Sequence, residues 1–87
     1  AITDCFQLGG EDTLVLNGTT NKGVFKTGDP VYVQLTNGKV VEGTISRMEQ
    51  LRQDVTESTL GESIGIMVDG LSISDQDYVT GGVIVVK

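Results

Sequence analysis

Cys5, the adjoining carboxylates Glu11 and Asp12, the acids Glu57 and Glu62, and the run Asp75-Gln76-Asp77 are the residues whose types and spacing could do chemistry. A lone thiol attacks only as the thiolate, and its neighbours Asp4 and Phe6 favour the protonated or buried form, so Cys5 reads as structural or idle. Carboxylate pairs can divide acid and base roles in hydrolysis, but nothing in the sequence sets these acids against one another. A small carboxylate-dependent hydrolase stays open as an alternative. Asp75-Gln76-Asp77 resembles the first half of a calcium loop, yet the glycine and closing glutamate do not follow at the required spacing, so helix capping is the expected role. The chain contains no histidine, which removes the usual general base, the Ser-His-Asp and Cys-His arrangements and the commonest metal ligand. It also lacks Gly-x-x-x-x-Gly-Lys-Ser/Thr, the loop that cradles nucleotide phosphates. The expectation is a protein that is not an enzyme and uses no cofactor or metal.

The elements that would position these residues read as short strands. Alternation places Ile2, Phe6 and Leu8 in a first strand with Gly9-Gly10 as its turn. Thr13 to Leu16 forms a second, ended by Asn17-Gly18, a dipeptide suited to hairpin turns. After the Thr27-Gly28-Asp29 turn, Pro30 can only start or edge a strand; Val31, Val33 and Leu35 then alternate with Tyr32 and Gln34. Asn37-Gly38 lies between two such runs and predicts a two-residue hairpin. Residues 46 to 58 are ambiguous: Ile45, Met48, Leu51, Arg52 and Val55 recur at helical steps, with Ser46 and Glu49 placed as a capping box. Strand to about Leu51 followed by loop is the favoured reading of the same segment. Strands around Ser63 to Val68 and Val83 to Val86 bring the number to six or seven, and Ser74-Asp75-Gln76-Asp77 suits one helical turn.

The 87 residues make one domain with one modest core. Twelve glycines against one proline, with valine, isoleucine and threonine abundant, favour strands joined by tight turns. Disorder is the competing reading of a glycine-rich acidic chain, and it is opposed by apolar runs such as Ile64-Gly65-Ile66-Met67-Val68. The net charge is -6 and lopsided, because beyond residue 52 the only base is Lys87. Such a surface repels phosphate, so RNA is disfavoured as a partner and a protein is favoured. No apolar run approaches the ~20 residues that span a membrane. One cysteine cannot form an intramolecular disulfide, which points to a reducing, cytoplasmic setting. A first residue of Ala1 implies a processed or excised chain.

The stretches Asp4-Cys5-Phe6-Gln7-Leu8, Gly10-Glu11-Asp12-Thr13-Leu14-Val15 and Lys22-Gly23-Val24-Phe25-Lys26-Thr27-Gly28-Asp29-Pro30-Val31 follow one another in an order that resembles the second domain of translational GTPases, the elongation factor Tu family. One extra residue is needed between Thr13 and Lys22. Similar stretches recur at Ile45-Ser46-Arg47-Met48-Glu49, from Ser58 to Leu71 and from Asp77 to Ile84, so the resemblance covers nearly the whole chain. It implies an all-β fold, a small six- to seven-stranded closed or nearly closed antiparallel β-barrel of the translation-factor domain II type, spanning residues 1–87. In that family the domain helps hold the aminoacylated 3′ end of tRNA near a glycine turn and a Glu/Arg pair. The matching positions here are Gly10, Glu11 and Asp12 at the turn and Ser46 and Glu49 in the strand, with Ser63 where the family has asparagine. Acid replaces cation at both places, which inverts what a nucleotide end requires.

The resulting expectation is a stand-alone, non-catalytic binding module for a protein or, less favoured, RNA. Its tentative binding residues are Phe6, Leu8, Gly10, Glu11, Asp12, Arg47, Glu49 and Ser63. The alternatives are an excised domain of a full translational GTPase contributing to tRNA or ribosome contact, and the hydrolase named above.

Overall fold

The structure, a computed structural model, describes residues 2–7, 13–19, 24–59 and 61–87. Leu8, the Gly9-Gly10 turn and residues 11 and 12 lie outside these. The described residues form seven strands: β1 (Ile2–Gln7), β2 (Leu14–Thr19), β3 (Pro30–Gln34), β4 (Val40–Gln50), β5 (Gln53–Val55), β6 (Ser63–Asp69) and β7 (Val83–Val86). They build one antiparallel sheet in the order β1-β2-β6-β4-β3-β7, with β5 beside the end of β4. The fold is all-β, and its helix among the described residues is a single 3-10 segment, Ile73–Tyr78. No helix there is long and apolar enough to cross a membrane.

The ladder is not closed between β1 and β7. Two backbone hydrogen bonds nevertheless join its ends, Ile2 donating to the Gly82 carbonyl at 2.9 Å and Gly81 donating to the Ile2 carbonyl at 2.8 Å. Inward-facing side chains of the sheet, with Leu71 and Val79 from the chain between β6 and β7, form the core, in which Val31, Val33, Ile45 and Val79 are completely buried. Each such side chain contributes roughly 1.5–3 kcal/mol through burial.

Two bulges set the phase of the sheet. Ile2 pairs with Gly18 and Asp4 with Asn17, leaving Thr3 as an extra residue in β1. Ile45 pairs with Val68 and Arg47 with Met67, leaving Ser46 as an extra residue in β4. Each bulged residue carries a hydroxyl that satisfies a carbonyl on the facing strand: Thr3 Oγ1 donates to Asn17 and Ser46 Oγ to Met67, both at 3.2 Å. Past each bulge the inward and outward faces exchange. Phe6 therefore turns outward instead of continuing the face of Ile2.

The same exchange corrects the helical reading of residues 46 to 58. Ile45 and Met48 are both buried because a bulge lies between them, and a three-residue step within one strand imitates helical spacing. Ser46 caps no helix. After Gln50 the chain does not pass into a plain loop. Leu51 and Arg52, with φ of 52° and 62°, turn it back into β5, where Gln53 pairs with Gln50. Positive φ at both positions of a two-residue loop is the type I′ arrangement that asparagine and glycine favour.

The two Asn-Gly pairs behave otherwise than expected. Asn17 and Gly18 end no strand; they lie within β2, paired to β1 on one side and to Gly65 and Ile64 of β6 on the other. The Asn37-Gly38 hairpin has three loop residues, Thr36 to Gly38. Gly38 N–H donates to Leu35 C=O at 3.1 Å, Leu35 N–H donates to Lys39 C=O at 2.8 Å, and only Gly38 has positive φ, at 90°. The 3-10 helix begins at Ile73, capped by the Ser72 hydroxyl and not by Ser74. It is tied to this hairpin by Lys39, whose Nζ sits 3.1 Å from the buried carboxylate of Asp75, and by the Thr36 N–H donating to the Tyr78 carbonyl.

Candidate functional site

The bulges create the site. Were β1 regular through Thr3, the phase of Ile2 would carry Asp4 and Phe6 into the core, and a regular β4 through Ser46 would do the same to Arg47 and Glu49. With them, the outer face of four adjacent strands carries two parallel rows. In the first, Phe6 of β1 is in register with Val15 of β2, Val15 with Met67 of β6, and Met67 with Arg47 of β4. In the second, two residues along, Asp4, Asn17, Gly65 and Glu49 are matched in the same way. Thr19 and Ser63 form a shorter third row. All of these residues, with Leu51 and Arg52 at one end, line an open groove of about 660 Å³.

The first row is apolar but for its last member. Val15 is only 7% exposed although it belongs to the outer face, while Phe6 is 44% exposed. Arg47 spends its charge on Asp54 of β5, with Nη2 at 2.8 Å and Nε at 2.9 Å from one carboxylate oxygen. The second row is made of acceptors. Asp4 accepts the Cys5 backbone N–H at 2.8 Å, and neither Asp4 nor Glu49 has an ion-pair partner among the described residues. Gly65 leaves a notch between them. A Cβ at that position would stand 3.1 Å from Asn17 Oδ1 and 3.3 Å from a Val15 methyl group, so a side chain fits only by pushing these aside.

The groove's walls are anchored. Gln50, buried at the end of β4, accepts the Thr59 N–H at 2.9 Å through Oε1 and turns its amide toward the Thr59 and Ser63 carbonyls, holding the strand to the chain that enters β6. Cys5 lies on the other face, packed against the core. Burial first, and the nearby Asp4 charge second, push its thiol above the ordinary value, which keeps it protonated. It supplies no nucleophile to the groove.

Of the residues expected to bind, Phe6, Arg47, Glu49 and Ser63 meet in this groove, whereas Leu8, Gly10, Glu11 and Asp12 lie outside the described residues. Ser46, matched to the strand site by resemblance, is instead the bulge residue beside it. Asp4, Val15, Asn17, Gly65 and Met67 were not expected there. The Asp4/Phe6 and Arg47/Glu49 alternations were visible signals; the cross-strand registers that align them were not. Leu51 and Arg52 carry no turn signature in their residue types. No protein-family model matches the chain.

Proposed function

We propose that this chain is a non-catalytic, stand-alone binding module that takes a protein partner in the groove across β1, β2, β6 and β4, and that its sheet is a small barrel of the translation-factor domain II type. The observation that carries the binding role is the meeting of Phe6, Val15 and Met67 with polar edges in a groove of about 660 Å³, a mixture that suits polypeptide better than a small polar metabolite. The barrel part of the reading draws on the family resemblance and on the hydrogen bonds between Ile2 and the Gly81-Gly82 segment.

The residues of the groove argue against hydrolysis. Asp4 and Glu49 stand on strands three inter-strand steps apart, roughly 14 Å between backbones at ~4.8 Å per step. Paired carboxylates in glycoside hydrolysis work at about 5–9.5 Å. The net charge of -6 sets the module against RNA.

Site-specific photo-cross-linking tests this reading. A benzoyl-phenylalanine at position 6 should yield a protein adduct in cells that express the domain, and the same group at Val40, exposed at the start of β4 and absent from the groove lining, should not. Adducts to RNA, or equal adducts from both positions, would overturn it.

A further inference from the structure

We propose that the groove recognises an extended, basic segment of its partner in which an apolar residue is followed two positions later by lysine or arginine. This rests on the groove being the protein-binding surface, and it deepens that reading by naming what is bound. Its ground is the sorting of the outer face into one apolar row and one acceptor row, two residues apart along every strand.

Two residues of strand span about 6.7 Å. An extended segment lying along β2 and β6 repeats its own same-face side chains at that distance, so its spacing matches the rows. An apolar side chain set over Val15 and Met67 places the next same-face side chain over the Gly65 notch. There it meets Asn17 Oδ1, with Asp4 on one flank and Glu49 on the other. Asn17 aside, no side chain in that row can donate to a ligand, and Asn17 Oδ1, crowded against Gly65 at its centre, presents an acceptor to an ammonium or guanidinium head. Of the two cations that line the groove, Arg47 is paired with Asp54, and Arg52 stands at one end of it, outside both rows. The charge of the whole chain, -6, draws a basic segment toward the face. An anionic lipid or a nucleic acid backbone would meet the carboxylates of Asp4 and Glu49 instead, neither of which has an ion-pair partner among the described residues.

Amide NMR titration of the whole chain with blocked pentapeptides at millimolar concentration decides the matter. The probes are Thr-Leu-Thr-Lys-Thr, its Glu-for-Lys counterpart, and Thr-Thr-Thr-Lys-Thr. The first should shift the amides of Asn17, Gly65, Met67 and Glu49, and it should bind at least tenfold more tightly than either of the others. Its binding should weaken as salt is raised. Asp4→Asn combined with Glu49→Gln keeps the shape and the side-chain oxygen that accepts the Cys5 N–H and should remove most of that tenfold preference, with circular dichroism confirming an unchanged fold. Equal binding of the lysine and glutamate peptides, or an undiminished preference in the double variant, would overturn the basic motif and leave the groove as a polypeptide site. Absence of groove shifts with every peptide would remove both.

Discussion

Single residues in this protein are constrained by conformation and by proton chemistry. Gly38 sits at φ 90° with nothing within 4 Å of where a Cβ would be, so a substitution there meets backbone strain and no clash. Gly38→Val should therefore destabilise the protein by about 1–2 kcal/mol, read as a lower urea midpoint with an unchanged slope. Cys5 makes a different prediction. Its thiol is held above the ordinary value mainly by burial and then by Asp4, and only the thiolate reacts. Alkylation of the folded protein at pH 8 should be slower than that of the urea-unfolded chain. Asp4→Asn, which removes the smaller cause, should quicken it modestly while leaving burial to dominate. A folded rate equal to the unfolded one would mean that β1 does not cover the thiol.

At the scale of elements, the β4–β5 hairpin departs most from local preference. Leu51 and Arg52 both adopt positive φ without being glycine or asparagine, and Leu51 is 80% exposed. Such conformations cost of order 1–3 kcal/mol each and persist where surrounding contacts over-determine them. Here those contacts are the Arg47–Asp54 ion pair and the buried Gln50 amide. Replacing Leu51-Arg52 with Asn-Gly should thus raise stability by about 1–2 kcal/mol without altering the register of Gln50 with Gln53. Thermal unfolding and cross-strand NOEs measure the two halves of that statement. The Asp75 carboxylate, buried in the 3-10 helix and paired with Lys39 on the β3–β4 hairpin, joins two elements that are distant in sequence. Lys39→Met leaves that carboxylate unpaired and should cost about 1–2 kcal/mol.

For the whole molecule, charge and topology decide behaviour together. A chain of net charge -6 should bind labelled tRNA only weakly at physiological salt. Tight, steeply salt-dependent binding would restore a role at the nucleotide end that the family resemblance implies. The sheet relies on pairings between residues far apart in the chain, such as Val15 with Met67 and Ile2 with the Gly81-Gly82 segment. Slow, concerted folding is the expected consequence, observable as a single-exponential refolding phase in the millisecond-to-second range.

What could be read from the sequence alone was whatever is decided locally. The strand that starts at Pro30, its buried Val31 and Val33, the buried Leu35 that follows it, the turn through Gly28 and the left-handed Gly38 all follow from preferences spanning a few residues, and the structure holds each of them. Phe6, Arg47, Glu49 and Ser63 were singled out through the family resemblance and not through alternation, and they share one groove. The tertiary structure decided where that alternation breaks. No local signal requires a bulge at Thr3 or Ser46, or a tight turn at Leu51-Arg52, or that Asn17-Gly18 stay extended. Each follows from pairing with a strand elsewhere in the chain, where aligning a whole row of buried side chains is worth more than the preference of any one dipeptide. Those same long-range registers bring Asp4, Asn17, Gly65 and Glu49 into one line and make a groove of them.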